Sequence, residues 1–348
     1  MQNTRDLSTR RYVILFSLGF LVLIVSITAV NQFYRNTFKD RSTFSIVAID
    51  PQTGDVGAAG ASCVPISASS LAALVPGHGA AAIQAAFTPQ NQSQVLELLK
   101  QGSTAPEIIE LVSDEDYDQQ ASIRQYGVVT LKKGEIQVGG FTGGDNNDWA
   151  GDRQDANNAV SVQGNTLEVE AVISDALSAF ISQDLGPVQL SDRLIRALEA
   201  ASAAGGDLRC NQVDVEQTAQ AAFIAISQAG QSAFSSTIGS DPSKSNPAIP
   251  WLFISIIEPK GGPNPLIELR RQYDTWRLEN LPPCENCNLD LIPVPTGGGP
   301  RPLSKAMLNF INRIGLTVAI AFICSIGFVA IMSLVIFIRR RIKKSKVD

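Results

Sequence analysis

Two long uncharged runs constrain this 348-residue chain more than any motif does. Residues 12–30 and 314–338 carry no charged side chain and are dominated by Leu, Ile, Val and Phe. Each is about as long as the ~20 apolar residues that cross a hydrocarbon core. The sequence therefore predicts transmembrane helices over 12–31 and 314–338. The first reads as a retained anchor, because its apolar stretch exceeds the ~7–15 residues of a signal-peptide core. Arg339, Arg340, Arg341, Lys343, Lys344 and Lys346 follow the second run, which places the 339–348 tail in the cytoplasm. Two spans return the 1–11 tail to the same side. The segment between them is expected outside the cytoplasm, at the cell membrane, with the lipid bilayer as its first partner.

Charge divides along the same lines. The formal net charge is −5, but residues 43–279 hold 28 acidic and 13 basic side chains, net −15, against +10 for the remainder. An acidic domain repels phosphate backbones, so nucleic acid is excluded as a partner. A single histidine rules out His-rich metal sites and paired-histidine catalysis. Five cysteines are too few for a disulfide-dense scaffold. No cofactor or metal is expected, and the sequence does not give an oligomeric state.

Coarse patterning predicts a mixed domain over 43–280. Residues 43–50 and 56–63 alternate as strands around a Pro-Gln-Thr-Gly-Asp turn, and 126–131 and 136–141 flank a second hairpin signal. Residues 80–87, 160–162, 221–227 and 250–257 also read as strand. Helical periodicity covers 93–101, 105–112, 165–182, 191–203 and 265–277. Strands in hairpins and helices in pairs indicate an α+β layered domain rather than alternating βαβ units. Proline and glycine crowd residues 281–304, which read as an irregular stalk.

Seven segments in order carry a resemblance. They are 43–54 (TFSIVAIDPQTG), 79–87 (GAAAIQAAF), 141–143 (FTG), 149–151 (WAG), 162–167 (VQGNTL), 204–209 (AGGDLR) and 264–271 (NPLIELRR). Together they resemble an uncharacterised bacterial domain family with an Ntn-hydrolase-like fold. That resemblance implies a four-layer αββα sandwich of two stacked antiparallel sheets, here expected with one transmembrane helix at each end of the chain. It supplies no activity of its own.

Enzymes of the Ntn type use a Thr, Ser or Cys freed at the chain start, whose α-amine, with a pKa near ~8, serves as the base. By that analogy Thr43 is the candidate nucleophile, and cleavage at Ser42–Thr43 is required to expose it. Asn165 either donates to a developing oxyanion or caps the helix expected to follow it. Asp207 and Arg209, after two glycines, form either a pocket-shaping charged pair or a loop ion pair. Cys63 reads as a buried thiol or disulfide partner. Cys284 and Cys287 suit a local disulfide or bridges to Cys63 and Cys210. His78 lies in a Pro-Gly-His-Gly turn and is expected at the surface. The oxygen-rich stretch 145–158 fails the EF-hand pattern.

The resulting expectation is a membrane-anchored, extracytoplasmic domain that acts on amide bonds of a peptide-like substrate at the cell envelope. The site would comprise Thr43, Asn165, Asp207 and Arg209. The alternative is a non-catalytic surface module that binds an envelope component or a partner protein.

Overall fold

The computed structural model describes residues 43–64, 71–147, 149–212, 215–235 and 249–295. The first sheet has six antiparallel strands in the order β13-β11-β2-β1-β8-β7. These are β1 (Thr43–Ile49), β2 (Val56–Ser62), β7 (Gly151–Asp155), β8 (Val160–Asn165), β11 (Ala221–Ser227) and β13 (Leu252–Ile257). The second sheet has five, in the order β12-β3-β4-β5-β6. Its strands are β3 (Ala72–Val75), β4 (Gly79–Ala85), β5 (Arg124–Lys132), β6 (Glu135–Thr142) and β12 (Phe234–Ser235). Two short strands, β9 (Asn211–Gln212) and β10 (Val215–Glu216), pair by themselves.

Five α-helices are found among the described residues: α1 (Pro89–Lys100), α2 (Ala105–Val112), α3 (Ala171–Ile181), α4 (Leu190–Ala203) and α5 (Pro265–Asn280). Local chemistry sets their starts. Thr88 accepts from Asn91 N ahead of Pro89, and Thr104 forms a capping box with Glu107. Asn264 accepts from Leu266 N just before Pro265.

The core forms three slabs. Phe44, Ile46 and Ala48 of β1 pack with α3, α4 and α5 residues such as Ile173, Leu194 and Leu269. Val47 and Ile49 pack between the sheets with Leu74 and Val129. Ile83 and Val128 meet Val95, Leu99 and Ile108 of α1 and α2. Alternation along β1 thus sends even residues to the helices and odd ones to the facing sheet. Small residues let the layers approach: a Cβ on Gly57 would strike Leu194, and one on Gly79 would strike Leu99.

The membrane architecture is corrected. Among the described residues no helix is long and apolar enough to cross a membrane. The longest, α5, has 16 residues, about 24 Å at 1.5 Å per residue, and six of them are charged. The runs at 12–31 and 314–338 read as spans lie outside the described residues, as do both tails. A sandwich flanked by two membrane helices, and a two-span placement in the cell membrane, are therefore not retained. The structure shows a mixed α/β body with two antiparallel sheets.

Two local expectations also change. The helix expected from residue 165 starts only at Ala171, and Asn165 ends β8, so it caps no helix. The helix expected from residue 93 starts at Pro89, because the Thr88–Pro89 cap precedes the apolar periodicity. Residues 281–295 have no helix or strand, yet they are tied to the body. Asn288 N donates to Leu185 O (3.0 Å), Arg270 Nη2 to Leu289 O (2.6 Å) and Arg196 Nη1 to Asp290 O (2.6 Å).

Candidate functional site

Four of the central strands open at one end of the two sheets. There β1 and β5 begin while β4 and β8 finish. Thr43 and Asn165 are direct partners in the β1–β8 register, so their side chains lie side by side on the face toward the second sheet. Both are almost fully buried.

Behind them lies a buried amide network that a reading of the sequence in isolation misses. Ser45 Oγ donates to Gln84 Oε1 (2.6 Å) and accepts from Gln163 Nε2 (2.6 Å). Gln84 Nε2 donates to Thr43 O (3.2 Å) and to Gln125 Oε1 (2.7 Å). Asn165 Nδ2 donates to the same Gln125 Oε1 at 2.9 Å. Ser161 Oγ completes the row by donating to Gln163 Oε1 at 3.0 Å. Gln84, Gln125 and Gln163 have no exposed surface, which is tolerable only because their amides are paired. The sequence carried part of the signal: Gln84 is a lone glutamine in a strand otherwise built of small and apolar residues, whereas Gln125 and Gln163 share their strands with other polar residues.

In front of Asn165 is a small, half-open surface cleft. Ala85, Ala86, Ile123, Asn146, Asn147 and Thr166 line it, with Asp145 exposed at the rim. Two lining residues hold left-handed backbones, Ala85 at φ 65° and Thr166 at φ 53°. For a β-branched threonine this is an outlier, with a cost on the order of 1–3 kcal/mol, and such strain concentrates at functional sites. Arg124 supports the cleft wall by donating to Ala86 O and, through Nε, to Asp118 Oδ2 at 2.8 Å. Burial pushes the Asp118 carboxyl upward. The Arg124 guanidinium, the Gln120 N–H and the Asn91 amide outweigh it and hold the group below the usual aspartate range.

Asp207 and Arg209 sit beside this mouth, turned toward each other. The 205–208 turn runs against the residues that follow Asn165: Leu208 N donates to Thr166 O (3.1 Å) and Glu168 N to Gly206 O (3.1 Å). Asp207 is fully buried and accepts from Cys63 N (2.8 Å), Arg209 N (3.0 Å), Arg209 Nε (3.2 Å) and Arg209 Nη2 (2.9 Å). Cys63 is bonded to Cys210, so the turn is also tied covalently to the end of β2. The structure therefore brings Thr43 and Asn165 together, and separately Asp207 and Arg209. The described bonds of Asp207 brace the chain.

His78, the chain's single histidine, is exposed in the β3–β4 turn at the opposite end of the sheets from Thr43. It takes no part in the cleft. Asp152 and Asp155 of the oxygen-rich stretch bond to Thr142, Gln154 and Asn158. Among the described residues no group of three or more His, Cys, Asp or Glu side chains is arranged to hold a metal. Cys284 is bonded to Cys287.

The model of a family of unknown function, DUF1028, matches residues 43–240. The crystal structure of a Silicibacter pomeroyi protein assigned to that family is similar at a TM-score of 0.50 and 22% identity. The match covers 68% of this chain and 86% of that one. At this identity the likeness concerns the fold alone. No curated protein matches the chain.

Proposed function

The chain belongs to the DUF1028 family of unknown function, and for it we propose hydrolysis of amide bonds with Thr43 as an N-terminal nucleophile. The observation that carries this reading is the pairing of Thr43 with Asn165, which lines a strained cleft, backed by neutral amides and hydroxyls. Ser45, Gln84, Gln125 and Gln163 orient neighbours but offer no base at neutral pH. With the histidine remote, the base closest to hand is the amine that Thr43 itself would gain on cleavage of the Ser42–Thr43 bond.

In the proposed reaction Thr43 Oγ1 attacks the substrate carbonyl carbon and its proton passes to the α-amine. The tetrahedral oxyanion collapses as the C–N bond breaks and the leaving nitrogen takes that proton. Water, deprotonated by the same amine, then hydrolyses the ester formed on Thr43. Asn165, whose amide is oriented by Gln125 Oε1, is assigned as the oxyanion donor. Asp207 and Arg209 act at one remove, by holding the chain beside Asn165.

Intact mass and N-terminal sequencing of the purified full chain test the proposal. A chain starting at Thr43, with processing lost in Thr43→Ala, is the expected result. A chain continuing unbroken through Ser42 would refute it. The same cleft would then fit a binding module without chemistry, a reading favoured by how little space it encloses, about 10 Å³ or roughly one water.

A further inference from the structure

The side-chain amide of Asn165 could face the network with either its oxygen or its nitrogen, and only the nitrogen end makes it a donor there. We propose that Gln125 makes this choice and is the positioning residue of the site. Its Nε2 is pinned by groups that only accept: Gly164 O at 2.8 Å and Gly151 O at 3.2 Å. Thr142 Oγ1, which gives its own proton to the Asp152 carboxylate, accepts from the same nitrogen at 2.9 Å. With three acceptors around Nε2, the opposite end of the Gln125 amide must be the oxygen.

That oxygen in turn can only accept. It receives Asn165 Nδ2 at 2.9 Å and Gln84 Nε2 at 2.7 Å, so both amides are held nitrogen-inward. Gln84 passes the same constraint to the Thr43 carbonyl, which accepts from its Nε2. One buried oxygen thus sets the orientation of the residue beside the nucleophile and of the backbone that carries it.

The surrounding sequence makes room for this arrangement. A Cβ on Gly127, two residues after Gln125, would run into the Gln163 amide, and one on Gly140 would run into Asp152 and Gln154. Glycine inside a strand weakens it and marks close approach, so two such positions over the network indicate that its space is built in.

The inference rests on placing the site at Thr43 and Asn165, but its readout does not require hydrolysis. In the full chain with 15N-labelled asparagine and glutamine side chains, Gln125→Leu is expected to speed exchange of the Asn165 side-chain amide about tenfold. That is the factor expected from losing one buried hydrogen bond. Backbone amides of Ile46 and Val162 should keep their protection. Unchanged Asn165 exchange in folded Gln125→Leu would overturn the proposal.

Should Gln125→Leu not fold, Asn165→Asp and Asn165→Ala decide by urea midpoints at neutral pH. An aspartate would set two accepting groups face to face. Its unfolding constant is expected to exceed that of the alanine variant by about tenfold or more. An aspartate variant as stable as the parent chain would refute the orientation. Loosened Asn165 in a chain that starts upstream of Ser42 would retain the positioning role and remove the hydrolase reading. An unmoved Asn165 in a chain starting at Thr43 would do the reverse.

Discussion

Replacing Asp207 by alanine separates a ligand pocket from a structural brace. Asp207 has no exposed surface, and its carboxylate accepts four hydrogen bonds, one from Cys63 N and three from Arg209. Truncation strands the Cys63 N–H, a partly buried donor whose loss of partner costs about 1–3 kcal/mol. It also takes the Asp207 carboxylate away from the Arg209 guanidinium, whose side chain is 18% exposed, and breaking a pair this buried by removing one member costs about 3–5 kcal/mol. The two losses share one carboxylate, so the expected total is about 3–5 kcal/mol rather than their sum. Urea unfolding with the Cys63–Cys210 bond intact is the assay, read as a lower midpoint at an unchanged slope. Asp207→Asn should recover part of the loss, since one amide oxygen still accepts from Cys63 N while its nitrogen faces the guanidinium. Arg209→Met alone should cost less than Asp207→Ala, because the carboxylate keeps two main-chain donors. An Asp207→Ala chain within about 0.5 kcal/mol of the parent would refute the brace and return the pair to ligand binding.

The two disulfides should differ sharply in value. Chain-entropy reasoning gives about 5 kcal/mol for the Cys63–Cys210 link, whose partners are 147 residues apart, and under about 2 kcal/mol for Cys284–Cys287, 3 apart. Paired alanine substitutions compared by urea midpoint check this, and equal losses would contradict it. Asp118 predicts an acid dependence of stability. Its folded pKa is depressed, so its contribution is present above the ordinary aspartate range of about 4 and is lost as pH falls through the folded value. Asp118→Asn should flatten that part of the acid limb in a pH series of urea midpoints. A variant whose acid limb parallels the parent's would show that the Asp118–Arg124 clamp does not support the cleft wall.

What could be read from the sequence was what adjacent residues decide. The β1–β2 hairpin follows from alternation around a turn in which Asp50 Oδ1 accepts from Gln52 N. The pairing of β5 with β6 around Lys133-Gly134 follows similarly. Asn165 shows the limit. Beside Gly164 and ahead of a periodic stretch it looks like a helix cap, and only the β1–β8 register, made by a distant segment, places it opposite Thr43. Residues 281–295 show it again. Their composition predicts the lack of regular structure, but says nothing of Glu199, which accepts from Ile292 N at 3.2 Å, or of Arg196 and Arg270. The glutamines are the most instructive case. Gln84, Gln125 and Gln163 each cost stability in a strand taken alone, and become favourable only when two sheets stack and their amides meet. Such a network orients groups well and moves protons poorly. Apart from Asp145 at the rim, proton transfer in this cleft would fall to a group that no described side chain supplies. An amine at Thr43 is the one the chain can make from itself, which is why the state of the Ser42–Thr43 bond, rather than any further side chain, decides between catalysis and binding.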